Sequence, residues 1–448
     1  MKRILALLLA VLLLAGCVPA PDPTEAPTAA PTEVPTEAPT QPPTEPPTEP
    51  PTEPPTEPPY AEVARATVLA AGDVLPHMSV IEAGETEEGY SFDHFYTYIA
   101  DLVTQADFAV ANLETTLAGL DGGYKYSGFP RFNCPDEMAD ALKNTGFDML
   151  LTCNNHAYDT EGYGLQRTLQ VLEEKELLSL GSMKTPEDPK YRVVDVNGIK
   201  LGMVCYSYGE ISSKTGKKGL NGIPIDSDCT ELYNVFDYTK LDLFYEQMRQ
   251  HIADMKAEGA EATILYIHWG NEYATRANEY QRTMAQQLCE LGIDVIIGGH
   301  PHVVQGAALL ESETGHKTFC AYSVGNLVSN QRRQYISMKR SGHTEDGLIA
   351  SVTFVKYNDG QVHLEVAELL PIWVVMRTDG PKRVYQVLPL NGDSEEWAQR
   401  YELNKTDARE TLNSLERTND IIGEAMVSIA AELERLRQQR FDAENGVG

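Results

Sequence analysis

Positive charge is scarce in this 448-residue chain: 36 lysines and arginines stand against 66 aspartates and glutamates, a formal net charge of −30. That balance argues against nucleic acid, and against an anionic lipid surface, as partners. Cysteine is scarce too, seven in all, and no two stand in Cys-x-x-Cys spacing, which argues against a zinc ribbon. An exported chain permits disulfides. Yet Cys153, Cys205 and Cys320 lie inside apolar runs, where a thiol behaves as a small hydrophobe, so mostly buried free thiols are expected. Long apolar runs are missing as well. Residues 1–16 are rich in Leu, Ala and Val but too short to span a bilayer comfortably, and behind Lys2 and Arg3 they read as a secretory signal.

That stretch ends in Leu14-Ala15-Gly16-Cys17, which resembles the bacterial lipobox. Cys17 is therefore the expected lipidation site, and its lipid the chain's only hold on the extracellular face of the membrane. Residues 18–60 repeat Pro-Thr-Glu in four-residue steps with almost no large apolar side chain. Such a segment cannot bury enough surface to offset its ordering entropy, and proline favours extended polyproline II, so a semi-rigid spacer is expected.

From residue 61 to about 375, strand-like runs alternate with helix-like stretches at 95–105, 135–145, 164–175, 237–258 and 279–291. The alternation predicts one layered α/β domain over residues 61–392. Beyond it, residues 393–448 have apolar positions at three- to four-residue steps and predict a helical extension packed on that domain.

Five apolar runs, at 67–71, 108–111, 147–152, 262–267 and 293–297, are each followed by potential ligands. They lead into Gly72-Asp73, Asn112-Leu113-Glu114, Asn154-Asn155-His156, His268-Trp269-Gly270 and Gly299-His300-Pro301-His302. Open α/β sheets place their sites at the carboxyl edge of the strands. Strand alternation puts Asn112 and Glu114 on one side, one able to bind metal while the other orients it. His77, four residues beyond Asp73, is a further donor at loose spacing. Mixed carboxylate, amide and imidazole donors suit Mn²⁺, Fe²⁺ or Zn²⁺ better than Ca²⁺ or Mg²⁺ alone. Asp159, three residues past His156, is placed to fix that imidazole's tautomer, and histidine can hand a proton to a leaving group near neutral pH.

Taken in order, these motifs resemble the CapA family, the poly-γ-glutamate capsule proteins, a branch of the calcineurin-like metallophosphoesterases. The resemblance runs from about residue 68 to 329. It also takes in Asn271-Glu272-Tyr273, Val303-Val304-Gln305 and Tyr322-Ser323-Val324-Gly325-Asn326. It implies a four-layer αββα sandwich with two divalent ions at the strand tips, held by Asp73, Glu114, Asn155, His268, His300 and His302, with Glu114 bridging. It implies His156 as the acid beside the scissile group, substrate contacts from Lys125 and Arg131, and Glu272 beside the site, contacting substrate or orienting His268. Two departures stand out. The wider phosphoesterase pattern opens Asp-x-His, but Leu75 follows Asp73 here, and Glu114 stands where that pattern has Asp.

The function so implied is a metal-dependent hydrolase or transferase acting on an anionic cell-envelope polymer such as poly-γ-glutamate, alongside other capsule synthesis proteins. Two rivals remain: a non-catalytic module that grips such a polymer through metal, and a general phosphoesterase.

Overall fold

The computed structural model describes residues 60–211, 218–336, 341–380 and 382–444. The expected signal, the Cys17 lipidation site and the spacer up to residue 59 lie outside them. In chain order, the strands that build the site are β1 (Glu62–Leu75), β2 (Phe108–Leu113), β3 (Met149–Leu151), β4 (Leu178–Leu180), β5 (Ile199–Tyr208), β6 (Ala262–His268), β7 (Val295–Gly299), β8 (Lys317–Ala321), β9 (Asn326–Ser329), β10 (Asp346–Tyr357), β11 (Val362–Asp379) and β12 (Lys382–Pro389).

They form two large sheets. One runs β12-β11-β10-β1-β2-β3-β4, with β9 pairing to β1 as a branch. Its β1–β4 half is parallel and its β10–β12 half an antiparallel meander. The other has parallel β5-β6-β7-β8 at its centre.

Period-two alternation decides what each strand face meets. Val68 and Ala70 of β1, Val110 of β2, Met203 of β5, Ile264 and Tyr266 of β6, and Val295 and Ile297 of β7 share one core, so the two sheets face each other. The alternate residues Leu69, Ala71, Ala109 and Ala111 pack with Phe95, Met138, Leu142 and Leu172 from helical segments. On the second sheet Val204, Leu265, Ile267 and Ile296 meet Phe244, Met248, Met284 and Leu288 in the same way. Strands buried on both faces read as unbroken apolar runs, which is why the five runs stood out in the sequence. The architecture is mixed α/β. Truncating a side chain such as Ile264 to alanine in the shared core should cost about 2–5 kcal/mol.

Two expectations need correction. The helix expected over 95–105 is two short ones, Asp93–Tyr96 and Ala100–Thr104. Tertiary packing overrides the local pattern there: Phe95 and Tyr96 are drawn into the core, and Tyr98 meets Tyr401 edge-on at 4.9 Å. Tyr60, grouped with the spacer by composition, belongs to the fold: it stacks on Tyr357 at 4.4 Å and meets Phe441 at 5.0 Å. The C-terminal region is one short turn, Trp397–Arg400, and a single 40-residue helix, Lys405–Glu444. That helix buries Ile422, Ile429 and Leu433 in the core shared by the two sheets. The six cysteines of the body are all buried and free. Among the described residues no helix is long and apolar enough to cross a membrane.

Candidate metal centre

The carboxyl ends of β1, β2, β6 and β7 converge on one cleft. Asp73, near the end of β1, lies opposite Asn112 of β2 and Asn326 of β9. Gly72 is required just before it: a Cβ at that position would stand 2.0 Å from the Gly325 carbonyl oxygen. An amide relay then fixes the carboxylate. Asn154 Nδ2 donates to Asn112 Oδ1 at 3.0 Å, and Asn112 Nδ2 donates to Asp73 Oδ1 at 2.7 Å. Asn112 thus orients, and Glu114, two residues on, is the free carboxylate of that pair.

The second sheet supplies imidazoles. His268 is the last residue of β6, and the chain turns at once because Trp269 is buried, its Nε1 donating to the Tyr322 carbonyl at 2.9 Å, and Gly270 takes φ 88°. His300 and His302 follow β7 with φ of 92° and 54°. Left-handed backbone at two non-glycine residues persists where the surroundings over-determine it, and such residues cluster at functional sites.

The donor atoms point at one another. His268 Nε2 lies 2.7 Å from Asn155 Oδ1, 3.2 Å from His300 Nδ1 and 3.3 Å from Glu114 Oε1. His302 Nδ1–H is shared between Asn326 Oδ1 at 3.0 Å and Asp73 Oδ2 at 3.2 Å. That leaves His302 Nε2 facing Glu114 Oε1 at 3.8 Å. Ligand atoms of Asp73, Glu114 and His268 fall within 4.8 Å of one another, as do those of Glu114, His300 and His302, so Glu114 is common to both groups. Both Glu114 oxygens are buried, and neither has a hydrogen-bond partner among the described residues. A buried carboxylate without a hydrogen-bond donor is costly, and a metal cation is one species that these lone pairs fit.

Electrostatics follow from the crowding. Burial opposes ionisation of Asp73, but the hydrogen bond from His302 and the charges of His268 and His302 outweigh it and hold the carboxyl below its usual range. Burial likewise opposes protonation of His302, yet Glu114 and Asp73 push it up to about 9. His300 is held well below the ordinary imidazole value by burial and by the charges of His268, His302 and His156.

His156 follows Asn155 directly, and its Nδ1 lies 2.7 Å from Asp159 Oδ2. The same Asp159 oxygen accepts from the Phe132 amide at 2.6 Å. Its other oxygen accepts from Asn221 Nδ2 at 2.9 Å. Asn221 Nδ2 also reaches the Pro130 carbonyl at 2.9 Å. The Asp159 contact occupies Nδ1 of His156 and leaves Nε2 outside it.

Asn221 was missed from sequence. It sits in the turn between the short antiparallel strands Lys218–Leu220 and Ile223–Pro224 with φ 48°, and only its position before Gly222 hinted at a tight turn. Lys125 and Arg131 are exposed on the neighbouring loop, Arg131 lying 3.8 Å from Glu161. Glu272 is exposed; it hydrogen-bonds the Tyr273 side chain and acts on His302 through charge. His77 is turned toward Leu75 and Phe132, with Nδ1 3.1 Å from the Leu75 carbonyl. Leu75 itself is buried in the fold.

A family model described as bacterial capsule synthesis protein PGA_cap matches residues 67–331. The chain is similar to the capsule biosynthesis protein CapA of Bacillus anthracis, 24% identical over 280 residues, which is 61% of this chain and 62% of that protein. It is similar also to the PGA biosynthesis protein CapA of Bacillus subtilis (strain 168), 26% identical over 245 residues, or 53% of this chain and 57% of that one. The chain thus spans about six tenths of the length of these curated relatives. The matched range ends before β10 and the C-terminal helix.

Proposed function

The chain belongs to the bacterial capsule synthesis protein family PGA_cap, and from that premise we propose that its strand-tip cleft is a divalent-metal site that cleaves or transfers an amide or ester bond in an anionic capsule polymer such as poly-γ-glutamate. The observation that carries this reading is the buried Glu114 carboxylate, without a donor of its own and common to two groups of ligand atoms. Asp73, Asn155 and His268 would hold one ion, His300 and His302 the other, with Glu114 between them. The donor set suits Mn²⁺, Fe²⁺ or Zn²⁺. Divalent ions there supply Lewis acidity toward a carbonyl or phosphoryl oxygen. The core shared by both sheets and the two helix-covered outer faces support the αββα layering that places the cleft.

The chain's own groups do the rest. Asp159 holds the His156 ring so that Nε2 can deliver a proton to the leaving nitrogen or oxygen. Asn112 and Asn326 keep the Asp73 carboxylate and the His302 ring in place. In so acidic a chain, an anionic polymer needs cations to approach. The metal supplies them at the centre, and Lys125 and Arg131 supply them on the exposed loop beside His156. Attachment through Cys17 at the outer face of the membrane, with capsule synthesis partners, completes the reading.

Buried Leu75, where the wider pattern has a ligating histidine, favours a second reading: a site that grips the polymer through metal without turning it over. Metal content of the purified full chain, with turnover of poly-γ-glutamate and of an artificial phosphodiester, separates the two. His156→Ala should retain metal and lose turnover. Wild type that binds metal and polymer but cleaves nothing favours the second reading. A protein that takes up no divalent metal overturns both.

A further inference from the structure

We infer that the C-terminal helix is a positioning element of the metal centre, acting through Asp346 on the Gly325-Asn326 step that holds two of the ligands. The inference rests on the reading of the cleft as a metal site. It concerns a part of the chain that the matched family range does not reach.

Gly325 and Asn326 touch both sides of the cleft. The Gly325 carbonyl accepts from the Asp73 amide at 3.0 Å, and Asn326 Oδ1 accepts from His302 Nδ1 at 3.0 Å. The start of β10 presses on this step. Leu348 N–H donates to the Val324 carbonyl at 2.7 Å, Gly325 and Gly347 form an antiparallel bridge, and a Cβ on Gly347 would stand 2.3 Å from the Asn326 carbonyl oxygen. Any shift of β10 at this point moves Asn326, and with it the His302 ring.

What fixes β10 there is the helix. Glu345 and Asp346 are consecutive acids, 2% and 1% exposed. Asp346 accepts from Ser414 Oγ at 2.7 Å and from Arg417 at 2.9 Å through Nε and 2.7 Å through Nη2. Glu345 accepts from Arg333 Nε at 3.1 Å and Nη2 at 2.9 Å, and Arg333 Nη1 continues to Glu410 of the helix at 2.8 Å. His343 Nδ1, 3.8 Å from Asp346, is the other titratable nitrogen facing that carboxylate, and burial holds its pKa below the ordinary imidazole value. A bidentate guanidinium sets direction as well as charge. Without Arg417, Asp346 would move toward water and pull the strand start from the Gly325-Asn326 step. Arg417 and Ser414 are therefore positioning residues three contacts from the ligands. They are not ligands themselves.

The test is Mn²⁺ titration calorimetry on the full chain, well below the melting temperature, with circular dichroism confirming that each variant is folded. Arg417→Ala should weaken Mn²⁺ binding about tenfold, the lower end for residues that hold a ligand's partner. Arg417→Lys should restore little, because one ammonium cannot replace the fork. Val427→Ala, 73% exposed on the same helix, should leave binding unchanged. If Arg417→Ala fails to fold, Ser414→Ala keeps the ion pair and should weaken binding two- to threefold, about the value of one hydrogen bond. A folded Arg417→Ala, or Ser414→Ala, that binds Mn²⁺ like wild type overturns the inference and leaves the helix as packing alone. Wild type that takes up none of Mn²⁺, Fe²⁺ and Zn²⁺ overturns the reading of the cleft, and this inference with it.

Discussion

The two sheets bring different atoms to the same cleft. The first, at the tips of β1, β2 and β3, offers oxygen: Asp73, Glu114 and Asn155, with Asn112 and Asn154 behind them. The second, at the tips of β6 and β7, offers nitrogen from His268, His300 and His302. The oxygen side is tied down by amide relays, with a register shift in β1 at Asp73. The nitrogen side relies on left-handed backbone at His300 and His302. Neither side supplies the whole donor set alone, so the affinity of the proposed metal site would also measure how well the sheets pack.

That contrast can be broken at Glu114, where the largest effect is expected. Glu114→Gln should weaken Mn²⁺ and Zn²⁺ binding by about 100-fold or more, read by competition with a chelator, because both groups of ligand atoms lose their shared charge. Near-normal binding would show that the nitrogen side suffices.

His77 sharpens the contrast, being an imidazole that follows a strand of the oxygen side without joining the ligands. Burial holds it down to about 4, against 6.5 in an open chain. The unfolded chain therefore takes up its proton first, and the His77 contribution to stability should fall as pH drops from 6.5 toward 4 and stay level above. His77→Gln should remove about 2 kcal/mol of that fall in urea titrations at the two pH values, less than full burial would give because the ring is partly exposed. Equal slopes in the two proteins would place the loss elsewhere.

A swap of ligand type tests the nitrogen side directly. His300→Asp should cost Zn²⁺ about tenfold more affinity than Mn²⁺, since carboxylate suits the harder ion. Parallel losses would mean that His300 contributes shape rather than ligand type. The smallest effect belongs to the residue outside both sets of strand tips. Asn221→Ala should reduce turnover several-fold while metal content is unchanged, because Asp159 loses one of its donors. A fall in metal content instead would place Asn221 in the metal centre.

The strand tips were legible because buried parallel strands are written as apolar runs, and a polar residue straight after such a run is conspicuous. His268, the last residue of β6 behind an unbroken buried run, is the clearest case. What the sequence concealed was set by partners far along the chain. Asn112 as the residue orienting Asp73 depends on the β1–β2 register, and Asn326 as the holder of His302 depends on β9 lying beside β1. Asn221 carries no periodic signal at all. The stretch 95–105 had a helical pattern, but aromatic packing at Phe95 and Tyr98 broke it in two. Lys125 and Arg131, conspicuous as cations in an acidic chain, stand exposed on the loop beside His156, because spacing fixes a residue's neighbours in sequence but not its direction in space.

Tyr60 sits between Tyr357 and Phe441 at the foot of β1, and Asp73 stands near the head of the same strand. Because β1 runs between β10 and β2, traction on the chain ahead of Tyr60 acts along the ribbon and loads its hydrogen bonds together rather than in succession. Stretching the molecule from that point should therefore give one abrupt rupture at high force, and the Asp73 carboxylate would stay seated until the whole strand slips.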